Sequence, residues 1–320
     1  MINVKFSVII PYLNGSEYIE KCLQSVENQN YLNYEIIIVN NGSNREEVNY
    51  LKKISKNDKI KIITLHKKGL GLARNVGISK SNGDYILFLD CDDTLNQELF
   101  LTLNKEINHN PDVEVIKYNA FRKNGNKITG IIKGPCFELV DGKVGLEKLL
   151  DYKERIFSPV WLYCISKNVF LKNKIKFSKC RYHEDYGFTS ILLMNVNKFM
   201  AIDFNGYNYL QNYNGIIRTT DYKKIKKKCN DFIYHSFKLI KISSKKIESI
   251  ELKNKFFRYV YNQSERKIKY LNLNDKKLYT KKLKKLERKI TKKNGKCNKK
   301  NNNGRVTRKF NKYNARRFKR

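Results

Sequence analysis

Four short, nearly unbroken apolar runs mark the first hundred residues: FSVIIPYL, EIIIVNNGS, KIKIITL and DYILFLD. Runs of this length, ended by polar turn residues, predict strands buried on both faces. Between them the pattern changes to helical spacing. Ile19, Cys22, Leu23 and Val26 recur at i, i+3, i+4 and i+7 behind Ser16, a residue suited to cap a helix. Val48, Leu51 and Ile54 mark a second helix, and LGLARNVGISKS a third, bounded by glycines. The alternation predicts an α/β fold: a mostly parallel sheet with helices on both faces. Ligands of such sheets bind beyond the carboxyl ends of the strands. Asn40-Asn41 and Asp90 to Asp93 stand at such ends.

From Val113 to about Phe204 the pattern is mixed. VEVIKYNAF reads as a strand, Gly134-Pro135 as a turn and VGLEKLLDY as a short helix. An apolar, aromatic stretch from Trp161 to Phe170 leads through IKFS into RYHEDYGFTSILLM. Beyond Tyr222, Phe232, Ser236, Leu239 and Ile240, then Phe256, Phe257, Val260 and Tyr261, keep helical spacing with lysines on the other faces. The predicted organisation is a body over 1–220, a basic helical extension over 221–293 and a tail over 294–320. That tail, rich in Asn, Lys and Arg and poor in aliphatics, is expected to be disordered when free.

The length of 320 residues suits one large domain with an extension, or two domains. No apolar run approaches the ~20 residues that span a bilayer, and the first residues lack a signal-peptide layout; a cytosolic protein is expected. The 7 cysteines are scattered singly, without a C-x-x-C pair, which argues against a disulfide framework or a zinc site. The net charge of +36 is uneven: Asp221 to the end holds 36 Lys+Arg against 7 Asp+Glu. A basic region of this kind can meet nucleic acid, anionic lipid or an acidic polymer.

Three segments offer chemistry. In GDYILFLDCDDTLN a buried strand runs into Asp90, Asp92 and Asp93. A Mg²⁺ or Mn²⁺ ion shared with substrate phosphates balances such charge. The simpler alternative is that Asp93 or Thr94 caps the helix LNQELFLTL. In HEDYGFTSILL, Glu184 and Asp185 open a helix, either as caps or with one carboxylate as general base; His183 alone reads as a surface or packing residue. In LHKKGLGLARNVGI, Arg74 lies on a first helical turn, placed to reach a phosphate or base edge. This G-L-G lacks the G-x-G-x-x-G spacing of a dinucleotide site, so a Rossmann oxidoreductase is disfavoured.

Together these segments resemble the family 2 glycosyltransferases with the GT-A fold. SVIIPYLNGSEYIEKCLQSVENQ, YEIIIVNNGSN, KGLGLARNVGISKSNGDYILFLDCDD and the HED at 183–185 stand in the family's order. The resemblance is dense over 4–100, looser to about 220, and then fades. It implies that Pro11, Tyr12, Asn14 and Arg74 line the nucleotide and that Asn41 faces the uracil. It implies that Asp92 touches the ribose and the metal, and that Asp93 holds the Mn²⁺ or Mg²⁺. Asp185 would deprotonate the acceptor hydroxyl for an inverting displacement. Trp161, Glu184 and Arg218 become candidates for acceptor or diphosphate contacts. The family's Asp-Asp or Asp-Asn on the second strand is here Asn40-Asn41, which removes a charge from the base site.

The resemblance thus implies transfer from a nucleotide sugar, a UDP-sugar, to a saccharide or lipid-linked acceptor. The setting it implies is bacterial capsule, lipooligosaccharide or wall-polymer synthesis. The basic region is then expected to dock on the anionic inner face of the membrane, with no nucleic-acid partner. The rival reading is a non-catalytic protein of the same fold whose tail binds nucleic acid or an acidic polymer. A nucleotidyltransferase is disfavoured because PYLNGSEY, not a glycine-rich basic loop, follows the first strand.

Overall fold

The computed structural model describes residues 2–154, 157–211 and 220–298. The first segment alternates as its pattern predicts: β1 (Phe6–Tyr12), α1 (Ser16–Glu27), β2 (Tyr34–Asn40), α2 (Arg45–Ile54), β3 (Ile60–Thr64), α3 (Leu70–Lys80) and β4 (Tyr85–Phe88). These four strands lie side by side and parallel in the order β3-β2-β1-β4. Every residue of β1 and β4 is buried, because helices cover both faces. Contact between layers is close. A Cβ on Gly77 of α3 would sit 2.4 Å from Ile9 Cγ2 of β1, so only glycine lets the helix lie this near the sheet.

The second segment extends the sheet. It comprises β5 (Thr94–Leu95), α4 (Leu99–His109), β6 (Val115–Asn124), β7 (Lys127–Ile132), β8 (Phe137–Val140) and α5 (Gly142–Asp151). After a 3₁₀ turn at Val160–Leu162 come β9 (Tyr163–Ser166), α6 (Lys167–Asn173), α7 (Glu184–Leu193) and β10 (Phe199–Leu210). β9 joins β4 to β6 with antiparallel pairings on both sides, and β10 runs parallel to β6. β5 pairs with β10, which brings the segment after β4 under the end of β10. Thr94 is therefore a strand residue, and α4 starts only at Leu99 behind Glu98 with no side-chain cap. Neither Asp93 nor Thr94 serves as the helix cap.

Three helices close the described chain: α8 (Tyr222–Lys246), α9 (Ile250–Ile268) and α10 (Leu273–Asn298). Their predicted apolar stripes are buried: Phe232, Leu239 and Ile240 of α8, Phe256, Phe257 and Val260 of α9. The extension is continuous with the body. A Cβ on Gly187 of α7 would fall 2.3 Å from His235 Nδ1 of α8, and Phe157 packs on Tyr259 at 4.9 Å. The tail expected from residue 294 begins inside α10, which runs to Asn298; residues 299–320 lie outside the described residues. None of the described helices is long and apolar enough to cross a membrane. The six cysteines whose side chains are described are free thiols.

One buried cation opposes this fold. Lys117 of β6 is 1% exposed, and its ammonium donates to Tyr118 O at 3.3 Å. Burial depresses its pKa to about 8. The unfolded lysine titrates near 10.4, so the penalty is complete below pH 8 and fades as pH rises toward 10.5. Lys117→Met is expected to stabilise the protein by about 3 kcal/mol at pH 7. Urea titrations at pH 7 and pH 10.5 check this; an equal gain at both pH values contradicts it.

Candidate active site

β1, β2 and β4 are parallel, so their carboxyl ends fall along one edge of the sheet, and the loops that follow meet there. The turn after β1 is held by side chains. Asn14 adopts a left-handed backbone (φ 48°), its N–H donates to Ser43 Oγ at 3.0 Å, and its Oδ1 accepts from Asn44 N at 3.1 Å. Pro11 is buried behind it. Tyr12 is fully buried with its hydroxyl on Glu47, which also accepts from Ser16 Oγ at 2.7 Å. Its ring therefore belongs to the core, and burial, reinforced by Glu47, raises its pKa.

After β2, Asn40 Oδ1 accepts from Ser43 N at 3.0 Å, and Asn41 Oδ1 accepts from Gly69 N at 2.6 Å. The Asn41 oxygen thus holds the start of α3. Asn40 Nδ2 is buried without a hydrogen-bond partner among the described residues. An orphaned buried donor costs about 1–3 kcal/mol, which a ligand acceptor offsets.

The acidic loop after β4 divides its carboxylates. Asp93 is 2% exposed; its Oδ2 accepts from Tyr207 Oη at 2.7 Å and its Oδ1 from Leu210 N at 2.6 Å. Burial next to Asp92 and Asp90 raises its pKa well above the carboxylate range. Asp93 faces inward and ties the loop to β10, which is not the open position expected of a metal ligand. Asp90 and Asp92 keep partial exposure. Cys91 between them is no nucleophile, because burial beside these carboxylates pushes its thiol up to about 12.

Arg74 is 3% exposed and binds two carboxylates at once: Asp90 Oδ1 at 2.8 Å and Glu184 Oε1 at 2.7 Å. Burial works against its charge, but Asp90, Glu184 and Asp185 outweigh it and raise its pKa. The guanidinium is committed to these partners rather than open to a nucleotide. It links the loop after β4 to the first turn of α7, whose Glu184 lies 110 residues from Arg74 along the chain. Asp185, next to Glu184, is partly exposed and accepts its following N–H, Tyr186 N, at 2.7 Å. Burial raises the pKa of both Glu184 and Asp185 while Arg74 opposes it.

His183 precedes α7 in a left-handed conformation (φ 59°), its ring edge-on to Phe232 at 5.1 Å. Burial, with Lys267, His235 and Lys228 nearby, lowers its pKa to about 3, so the imidazole is neutral. Trp161 is 8% exposed and stacks on Tyr207 at 4.3 Å and Tyr209 at 5.7 Å. This packing gives it the place of a core residue supporting β10, not an open sugar platform. Arg218 lies outside the described residues. Sequence reasoning missed Tyr207 and Glu47, and it placed Asn40 at a strand end without giving it a contact of its own. No local pattern marks Tyr207 or Glu47: burial along β10 does not alternate at Tyr207, and Glu47 is one of two adjacent acids in the first turn of α2.

Whether the site suits a divalent ion can be judged from its donors. Asp90 and Asp92 are hard oxygen ligands, appropriate to Mg²⁺ or Mn²⁺. Among the described residues no group of three or more His, Cys, Asp or Glu forms a ready metal cage. The donor set therefore fits an ion that takes its remaining ligands from substrate phosphates and water.

Comparison with known proteins speaks to the family and the fold. Residues 7–165 match the model for Glycosyl transferase family 2. Glycosyltransferase GlyA of Streptococcus pneumoniae is 36% identical over 38% of this chain and 18% of its own length. The poly(ribitol-phosphate) beta-N-acetylglucosaminyltransferase TarP of Staphylococcus aureus is 31% identical over 63% of this chain and 62% of TarP. The chain thus spans less than two thirds of each of these relatives. The crystal structure of S. aureus TarS 1-349 in complex with UDP-GlcNAc superposes with a TM-score of 0.59 at 18% identity, covering 91% of this chain and 92% of TarS 1-349. At that identity the likeness speaks for the fold. Carried by the motif order, the strand-end loops and the matched residues 7–165, the conclusion is that the chain belongs to glycosyl transferase family 2 and has the GT-A fold.

Proposed function

We propose that this glycosyltransferase moves a hexose or N-acetylhexosamine from a UDP-sugar to a hydroxyl of a saccharide or lipid-linked acceptor, with inversion, in bacterial surface-polysaccharide synthesis. The observation that carries this reading is the Asp90–Arg74–Glu184 bridge, which joins the acidic strand-end loop to the helix start bearing Asp185. Asp185 is the general base for the acceptor hydroxyl. Asp92, with Asp90 beside it, holds Mn²⁺ or Mg²⁺ together with the donor diphosphate, and Asp93 buttresses the loop. The ion supplies positive charge to the leaving diphosphate. Pro11, Asn14 and Asn41 surround the nucleotide, with Asn40 beneath them at the end of β2. TarP is named for N-acetylglucosaminyl transfer, TarS binds UDP-GlcNAc, and a Pyrobaculum calidifontis mannosyltransferase of similar fold (TM-score 0.56, 12% identity) binds GDP-Man and Mn²⁺. The protein works in the cytoplasm, at the anionic inner face of the membrane, through its basic helices.

The test is a thermal-shift panel of UDP-, GDP-, CMP- and dTDP-sugars with and without Mn²⁺. A ligand at 100 times its Kd stabilises the native state by about 2.7 kcal/mol. The expected result is a rise with one UDP-sugar, dependent on metal and lost in Asp92→Asn. No rise with any donor, in folded protein, overturns the reading.

A further inference from the structure

Single exposed apolar residues are ordinary on a protein surface, but the corner between α9 and α10 gathers several. Tyr270 is 74% exposed, Leu273 is 70% exposed, and Leu278, five residues further along α10, is 49% exposed. The corner is anchored from beneath. Leu271 and Tyr279 are buried. Asn272 N donates to Tyr222 Oη at 3.1 Å, Tyr222 Oη donates to Asp275 Oδ2 at 2.7 Å, and Lys226 pairs with Asp275 at 2.9 Å. Tyr270 and Leu273 therefore project from a pinned corner.

Arg266, Lys269, Lys276 and Lys277 surround these two side chains along the chain, all exposed and none in an ion pair among the described residues. Within residues 265–277, Asp275 is occupied by Lys226, which leaves Glu265 as the other carboxylate of that stretch. An exposed tyrosine and leucine flanked along the chain by four exposed cations complement an anionic bilayer: the cations meet lipid phosphates while the apolar tips enter the headgroup–acyl boundary. The corner is also near the site. Lys267, three residues before Tyr270, lies 5.5 Å from the centre of the Phe232 ring, which stacks at 4.2 Å on Tyr186, the neighbour of Asp185.

We propose that the α9–α10 corner is the membrane-insertion point, with Tyr270 and Leu273 as the inserting residues and Arg266, Lys269, Lys276 and Lys277 as the lipid-phosphate contacts. It rests on the membrane part of the reading above and not on the transfer chemistry. Docked this way, the corner holds the Asp185 side of the site against the surface that carries a lipid-linked acceptor.

Flotation of the full chain with vesicles of phosphatidylcholine, alone or mixed with phosphatidylglycerol, tests this. The wild type is expected to float only with the anionic vesicles. Tyr270→Ser/Leu273→Ser is expected to weaken that binding about tenfold or more, with thermal midpoint and donor-dependent thermal shift unchanged. A Tyr270→Trp reporter, set against the single native tryptophan, Trp161, is expected to shift its emission to the blue on anionic vesicles. Three results overturn the proposal: equal flotation of the double variant and wild type, unmoved reporter emission, or a gel shift with duplex RNA in place of flotation. Loss of the donor shift with flotation intact counts against the transferase reading alone and leaves the insertion point supported.

Discussion

Asp185→Asn is expected to lower kcat for sugar transfer by about 10²–10⁴-fold, the range a positioned general base contributes. The substitution is close to neutral for the fold, since an asparagine oxygen still accepts the Tyr186 N–H that Asp185 Oδ1 holds at 2.7 Å. Donor-dependent thermal shift is therefore expected to survive while turnover collapses. The pH profile supplies a second readout. Burial raises the Asp185 pKa, Arg74 opposes, and Asp90 adds to the rise. The base form is lost as pH falls through that raised value, so the acid limb of kcat/KM should lie above the ordinary carboxylate pKa of about 3.9. Lys267 of α9 is also within electrostatic range of this carboxylate. Turnover of Asp185→Asn within tenfold of wild type sinks the assignment.

Arg74→Met should produce the largest loss of stability, about 3–5 kcal/mol, because it removes the cation from a buried pair and strands its partners. Most of that loss belongs to Glu184, whose side chain is 6% exposed; Asp90, at 31%, is partly solvated and contributes less. The sign of the pH dependence follows. Burial already raises the Glu184 pKa and Arg74 lowers it, so the variant raises it further. The variant's deficit is then greatest where Glu184 is ionised and shrinks as pH falls and it protonates. Urea titrations at pH 8 and pH 5 measure this. Arg74→Met/Glu184→Gln is expected to recover part of the loss, since neutralising the stranded partner removes its desolvation cost. A deficit that is the same at both pH values and unrelieved by Glu184→Gln shows that Arg74 acts only as packing.

The parallel half of the sheet was legible because strands buried on both faces must be apolar at successive positions. FSVIIPY and YILF have no other stable place in a folded chain. The helical stripes of α1, α8 and α9 were legible for the matching reason, at a period of 3.6. The start of α4 was not. Thr94-Leu95 pairs with Tyr207 and Asn208, more than a hundred residues away, and that ladder replaces the local cap the sequence offered. Asn14 and Asn41 were singled out as nucleotide contacts, and the structure shows their side chains also tying neighbouring loops together.

The order of motifs determined the family, the direction of the sheet and the edge at which its loops gather, because hydrophobic period and turn chemistry are local properties. The division of labour among the acids was decided only by tertiary structure. Asp90, Asp92 and Asp93 are nearly equivalent as letters. They differ because Tyr207 and Leu210, from the last strand, occupy both oxygens of Asp93, and because Arg74 takes Asp90 and Glu184 together. The energy of a buried carboxylate depends on which donors reach it through space, and those donors come from positions that no local pattern connects.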